Sequence, residues 1–108
     1  MEIMTKKDAA LKERIIEVLR AIYDPEIPVD IYELGLIYEI ELNEDNNVFI
    51  TMTLTAPNCP ASDAIMQEVN EKIRAIDIVK DVHVNLTFEP TWSQDLMSDV
   101  AKLQLGFM

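Results

Sequence analysis

The strongest constraint in this chain of 108 residues is a pair of stretches with a period of two, joined by turn formers. Leu36, Tyr38, Ile40 and Leu42 alternate with Ile37, Glu39 and Glu41. Val48, Ile50, Met52 and Leu54 alternate in the same way with Phe49, Thr51 and Thr53. Successive side chains on a strand point to opposite faces, so this pattern predicts two strands with one face on a core. Asn43-Glu44-Asp45-Asn46-Asn47 between them favours a turn, and a β-hairpin is expected.

Cover for that face comes from helical patterns on both sides of the hairpin. Leu11, Ile15, Val18, Leu19 and Ile22 form one apolar stripe, with Thr5 and Asp8 as a capping-box-like start. This helix should stop before Asp24-Pro25, because proline disfavours a helical conformation in the preceding residue. Residues 24–35, with two prolines and Gly35, should form a loop. A second helix is expected from about Pro60 to Ile76, burying Ala61, Ile65, Val69, Ile73 and Ile76. A third strand should point Val82, Val84, Leu86 and Phe88 inward and His83, Asn85 and Thr87 outward. Beyond Pro90, Ser93 is expected to cap a final helix carrying Leu96, Met97, Val100 and Leu103, with Trp92 stapled onto Met97 and Gly106 ending it.

The order αββαβα, with a right-handed crossover through the second helix, predicts an α+β fold. It should be a two-layer sandwich, a small three-stranded sheet with helices mainly on one face. The other face, with Phe49, the threonines, His83 and Asn85, reads as plain surface, with a partner-binding face as the alternative. The length suits one domain spanning residues 1–108.

Charge removes several functions. Twenty acidic residues against nine basic ones leave a net charge of −11. Nucleic acid is excluded as a partner, since its binder needs a positive footprint to displace phosphate counterions. An anionic membrane surface is disfavoured for the same reason, and no stretch resembles a signal peptide or a membrane span. The single cysteine can form neither an intramolecular disulfide nor a cysteine-based zinc site, and a lone thiol suits the reducing cytoplasm. With two glycines there is no phosphate-cradling loop, and no Ser-His-Asp set can be assembled. An enzyme is not expected.

Chemistry concentrates in Met52-Thr-Leu-Thr-Ala-Pro-Asn-Cys-Pro60. The segment ends a strand and opens a helix, with Pro60 suited to the first helical position. Cys59 then lies at or beside the N-cap, where free backbone N–H groups and the helix dipole favour the thiolate. Asp63, one turn on, opposes this by repulsion. The plain alternative is that Cys59 is a small apolar residue filling a gap between strand and helix. Asp24 and Glu26 are the second candidates, carboxylates able to serve beside a thiol as hard metal ligands or proton acceptors. Thr55 and Asn58, in the cysteine turn, are read as supporting residues. His83, the sole histidine, should point away from the helices and take no part.

Three segments carry a family resemblance. Asp24-Pro-Glu-Ile-Pro-Val-Asp-Ile-Tyr-Glu-Leu-Gly-Leu-Ile-Tyr38 resembles the signature loop and first strand of the MIP18 family, also called the DUF59 domain. The cysteine turn resembles that family's own, and Phe88-Glu-Pro-Thr-Trp-Ser93 its Pro-x-Trp segment. The resemblance implies an iron–sulfur assembly domain fold and a role in maturing iron–sulfur proteins. SufT-like accessory factors of bacterial cluster assembly belong to this family, and PaaD-like members serve a single oxygenase. By this likeness the family's cysteine is Cys59 and its loop acid Asp24, with Glu26 beside it.

The leading expectation is therefore an accessory factor in cluster assembly or transfer to client apoproteins, acting through Cys59. A cluster ordinarily takes about four cysteine ligands, so one thiol per chain implies a transient iron or iron–sulfur site. Its other ligands would come from a second subunit of a homodimer, a partner or a small thiol. The alternatives are an interaction adaptor dedicated to one metalloenzyme, with Cys59 structural, and a thiol nucleophile or persulfide carrier.

Overall fold

The computed structural model describes residues 6–24, 27–55 and 62–106. Its elements run α1 (Lys6–Leu19), β1 (Ile37–Leu42), β2 (Asn47–Met52), α2 (Ser62–Arg74), β3 (Asp81–Leu86) and α3 (Asp99–Gln104), with a 3-10 turn at Gln94–Leu96 before α3. The expected α+β order is present. The sheet order is β1-β2-β3, with β1 antiparallel and β3 parallel to the central β2. A parallel neighbour requires a crossover, and α2 supplies it.

Both helices that bracket the hairpin in sequence bury their stripes against one sheet face. Leu11, Ile15 and Leu19 of α1, and Ile65, Val69 and Ile73 of α2, enclose Val48, Ile50 and Met52 of β2. Each such large aliphatic side chain removed from water contributes about 1.5–3 kcal/mol. At its end α1 tightens to bonds from Ala21 N–H to Val18 O and from Ile22 N–H to Leu19 O, well before Asp24. The expected cap by Thr5, the helix start at Pro60 and the burial of Ala61 lie outside the described residues.

The loop before β1 is more than a connector. Val29, Ile31, Leu34 and Leu36 are fully enclosed in the same core. Ile31 N–H donates to Ile22 O at 2.9 Å, and Tyr23 and Asp30 form an isolated antiparallel bridge, so the loop folds back on itself. Gly35 then turns the chain with φ at +81°, the left-handed region that glycine enters without steric cost. A Cβ there would also collide with the Leu96 carbonyl oxygen.

Four expectations need correction. In β1, Ile37 pairs with Met52 but Glu39 pairs with Thr51, so an irregularity at Tyr38 shifts the register by one. One extra residue reverses side-chain parity. Ile37 accordingly packs on the core, and Tyr38 instead donates its hydroxyl to Pro90 O at 2.7 Å. Thr53, expected on the outer face, is buried, because β2 ends at Met52 and strand alternation ends with it. Leu86, expected inward, is 39% exposed at the end of edge strand β3. Finally, Ser93 precedes the 3-10 turn without a side-chain capping bond, and it is Ser98 that caps α3, accepting from Ala101 N–H at 3.1 Å. That start rotates the helix: Ala101 faces inward, while Val100 and Leu103 are 56% and 67% exposed. Met97 is buried as expected, and Gly106 (φ +80°) follows α3, its N–H donating to Leu103 O.

Candidate functional site

Asp24 is the candidate residue that the structure describes most fully. Its backbone N–H donates to Val29 O at 3.4 Å, and its Oδ1 accepts the Ile27 N–H at 3.1 Å. Aspartate readily bonds to backbone N–H groups a few residues on, and the contact fixes the start of the loop. With only 5% of its surface exposed, Asp24 is an organised acid rather than a solvated one. Thr55 is partly exposed just beyond β2. Cys59, Asn58 and Glu26 lie outside the described residues. Among the described residues, no three His, Cys, Asp or Glu side chains converge as a metal-binding group.

His83 lies where its strand position predicts, on the outer face of the sheet. Its ring stacks on Phe49 with centroids 5.0 Å apart, and its Nε2 is 3.7 Å from Asp81 Oδ2. Asp81 has stronger partners. The Val82 N–H, with Arg74 and His83 beside it, holds the Asp81 carboxyl below the usual carboxylate range, and Arg74 Nη2 lies 2.7 Å away. His83 is thus occupied with a surface stack and a contact to Asp81.

Two buried polar residues escaped sequence reasoning. Asp30, 9% exposed, accepts the Glu33 N–H on Oδ2 at 2.9 Å. Burial raises its carboxyl above the ordinary value; the Glu33 N–H lowers it in part, and the charge of Glu33 raises it further. The signal was present, since Asp30-Ile-Tyr-Glu33 has the spacing of a capping box. Thr53 is the other: fully enclosed, its Oγ1 has no hydrogen-bond partner among the described residues. No sequence pattern distinguishes it from Thr51 of β2.

The chain has known relatives. Residues 12–102 match the model of a family described as iron–sulfur cluster assembly protein. A Porphyromonas gingivalis protein named Fe-S protein maturation auxiliary factor is 53% identical over 97 residues, 90% of this chain and 92% of the relative. A Staphylococcus aureus protein, Fe-S protein maturation auxiliary factor SufT, is 35% identical over 79% of this chain and 97% of its own. A crystal structure of a DUF59 domain from Bacillus anthracis superposes with a TM-score of 0.86 at 37% identity, covering 93% of this chain and 95% of that one. The resemblance of the three sequence segments to the MIP18 family is borne out.

Proposed function

This chain belongs to the iron–sulfur cluster assembly protein family, and from that premise we propose that Cys59 is its working residue. The protein is an accessory factor in cluster assembly or transfer rather than an enzyme, as its relatives' names indicate. In our reading its Cys59 thiolate takes iron or a cluster as cargo and passes it to client apoproteins. One thiol completes only part of a coordination sphere, so the remaining ligands come from a second chain, an assembly partner or a small thiol. A sphere completed by partners is labile, as transfer requires. We read Asp24 and Glu26 as the carboxylates that assist the thiol, and Thr55 and Asn58 as supporting residues. We place this work in the cytoplasm, where a lone thiol stays reduced; among the described residues, no helix is long and apolar enough to cross a membrane.

One observation carries the reading: the family match runs through residues 12–102 and so includes Asp24 and Cys59 together. The organisation of Asp24 at the loop start supports it. Replacing Cys59 with serine should lower the activity of client iron–sulfur enzymes in cells while leaving the thermal unfolding curve unchanged. Full client activity in that variant would leave Cys59 structural and make the protein an adaptor. In vitro, the rate of Cys59 alkylation should rise with a midpoint below the ~8.5 of free cysteine.

A further inference from the structure

We propose that the open groove between β1 and residues 89–96 docks a basic, amphipathic segment of a partner protein. The groove is an open depression of about 540 Å³. Its apolar walls are Ile37, Pro90 and Leu96, and its ionisable rim consists of Glu39 and Glu89. Among the described residues, no lysine, arginine or histidine lines it. Leu96 stays 39% exposed there. Both walls are tied in place, one by the bond from the Tyr38 hydroxyl to Pro90 O, the other by the Leu96 backbone pressed onto Gly35. A preformed groove spends little on ordering when it binds.

Charge decides the occupant. The ion pairs among the described residues use Glu33, Glu68 and Asp81, and none reaches Glu39, Glu41 or Glu89. Glu39 instead bonds to and repels Glu41, whose carboxyl is held above its ordinary value. An arginine or lysine satisfies both parts of the groove: its aliphatic stem lies along Ile37 and Leu96 while its head meets the carboxylates. Nucleic acid and anionic lipid are repelled. A second copy of this chain brings another net charge of −11 and is disfavoured. The inference extends the accessory role above by naming the chemistry of a partner, but its test does not involve Cys59.

The test uses the full chain and two fluorescein-labelled decapeptides, (Leu-Arg)5 and (Gly-Arg)5, followed by fluorescence anisotropy. The first should bind at least five-fold more tightly than the second. Glu39→Gln with Glu89→Gln should weaken (Leu-Arg)5 binding ten-fold or more. The same charge change on α1, Glu13→Gln with Glu17→Gln, should stay within two-fold of wild type, and Cys59→Ser should bind like wild type. Circular dichroism and thermal unfolding verify that each variant is folded. Equal weakening by the two double variants, or equal binding of the two peptides, would reduce the effect to overall charge and overturn the proposal. So would a dimer in sedimentation that Glu39→Gln with Glu89→Gln dissociates, because a second copy would then be the occupant. Loss of client maturation in Cys59→Ser with intact peptide binding keeps the two proposals separate.

Discussion

Thr53 places a hydroxyl in the interior, fully enclosed and without a hydrogen-bond partner among the described residues. A hydroxyl taken from water with no replacement bond costs about 1–3 kcal/mol. Valine has nearly the same shape and no such debt, so Thr53→Val should stabilise the protein by about 1 kcal/mol, read as a higher urea midpoint at constant m. A lower midpoint would show that the hydroxyl has a partner in solution. Asp30 makes a different prediction, because it is buried but bonded. Its carboxyl titrates above the unfolded value, so the native state holds the proton more tightly. The stability this contributes is fully present below the unfolded pKa and is lost as pH rises through the folded one. Asp30→Asn cannot titrate, yet keeps an acceptor for the Glu33 N–H. Relative to wild type, its urea midpoint should therefore climb as pH rises through and just above the carboxylate range. Parallel curves for the two proteins would contradict this assignment.

At the scale of elements, ends govern what the interiors do not. The middles of α1, α2 and β2 follow their periodicity residue by residue, whereas a one-residue irregularity in β1 exchanges the roles of Ile37 and Tyr38. The last helix shows the same sensitivity. Ser93 and Ser98 both precede a helical turn that contains an acidic residue, but only Ser98 accepts a capping bond. Removing a serine N-cap typically costs ~1 kcal/mol. Ser98→Ala should thus lower the denaturation midpoint by that amount, while Ser93→Ala should stay within about 0.5 kcal/mol of wild type. Comparable losses for both would mean that the helix starts earlier than α3 does.

Across the whole molecule, the C-terminal third is clasped onto the segment that leads into β1. Trp92 Nε1–H donates to Leu34 O at 2.7 Å, Tyr38 reaches Pro90, and Ser98 N–H donates to Glu33 O at 2.9 Å. Gly35 lies at the centre of these ties, against Leu96. Gly35→Ala meets both a positive φ and a collision with backbone, so it should cost more than about 2 kcal/mol and expose the Ser98 amide to hydrogen exchange. Asparagine tolerates the left-handed backbone but still carries a Cβ. If close approach is the larger cost, Gly35→Asn should lose as much as Gly35→Ala. A near-normal asparagine variant would place the cost in φ alone.

The order of elements, the stripes of α1 and α2, the alternation through β2, the outward position of His83 and the kinship carried by three linked motifs are all legible along the chain. These are properties of neighbours along the chain, where a repeat of two or 3.6 residues states which side is apolar. The depth of the loop before β1, the reversal at Tyr38, the burial of Thr53 and Asp30, and the choice of serine that caps α3 emerge from the folded chain alone. Each depends on residues far apart in sequence: Gly35 against Leu96, Tyr38 against Pro90, Thr53 N–H on Leu36 O. A local pattern specifies that a face is apolar, but what covers it, and where a strand stops, is set by the energy of contacts the pattern does not contain.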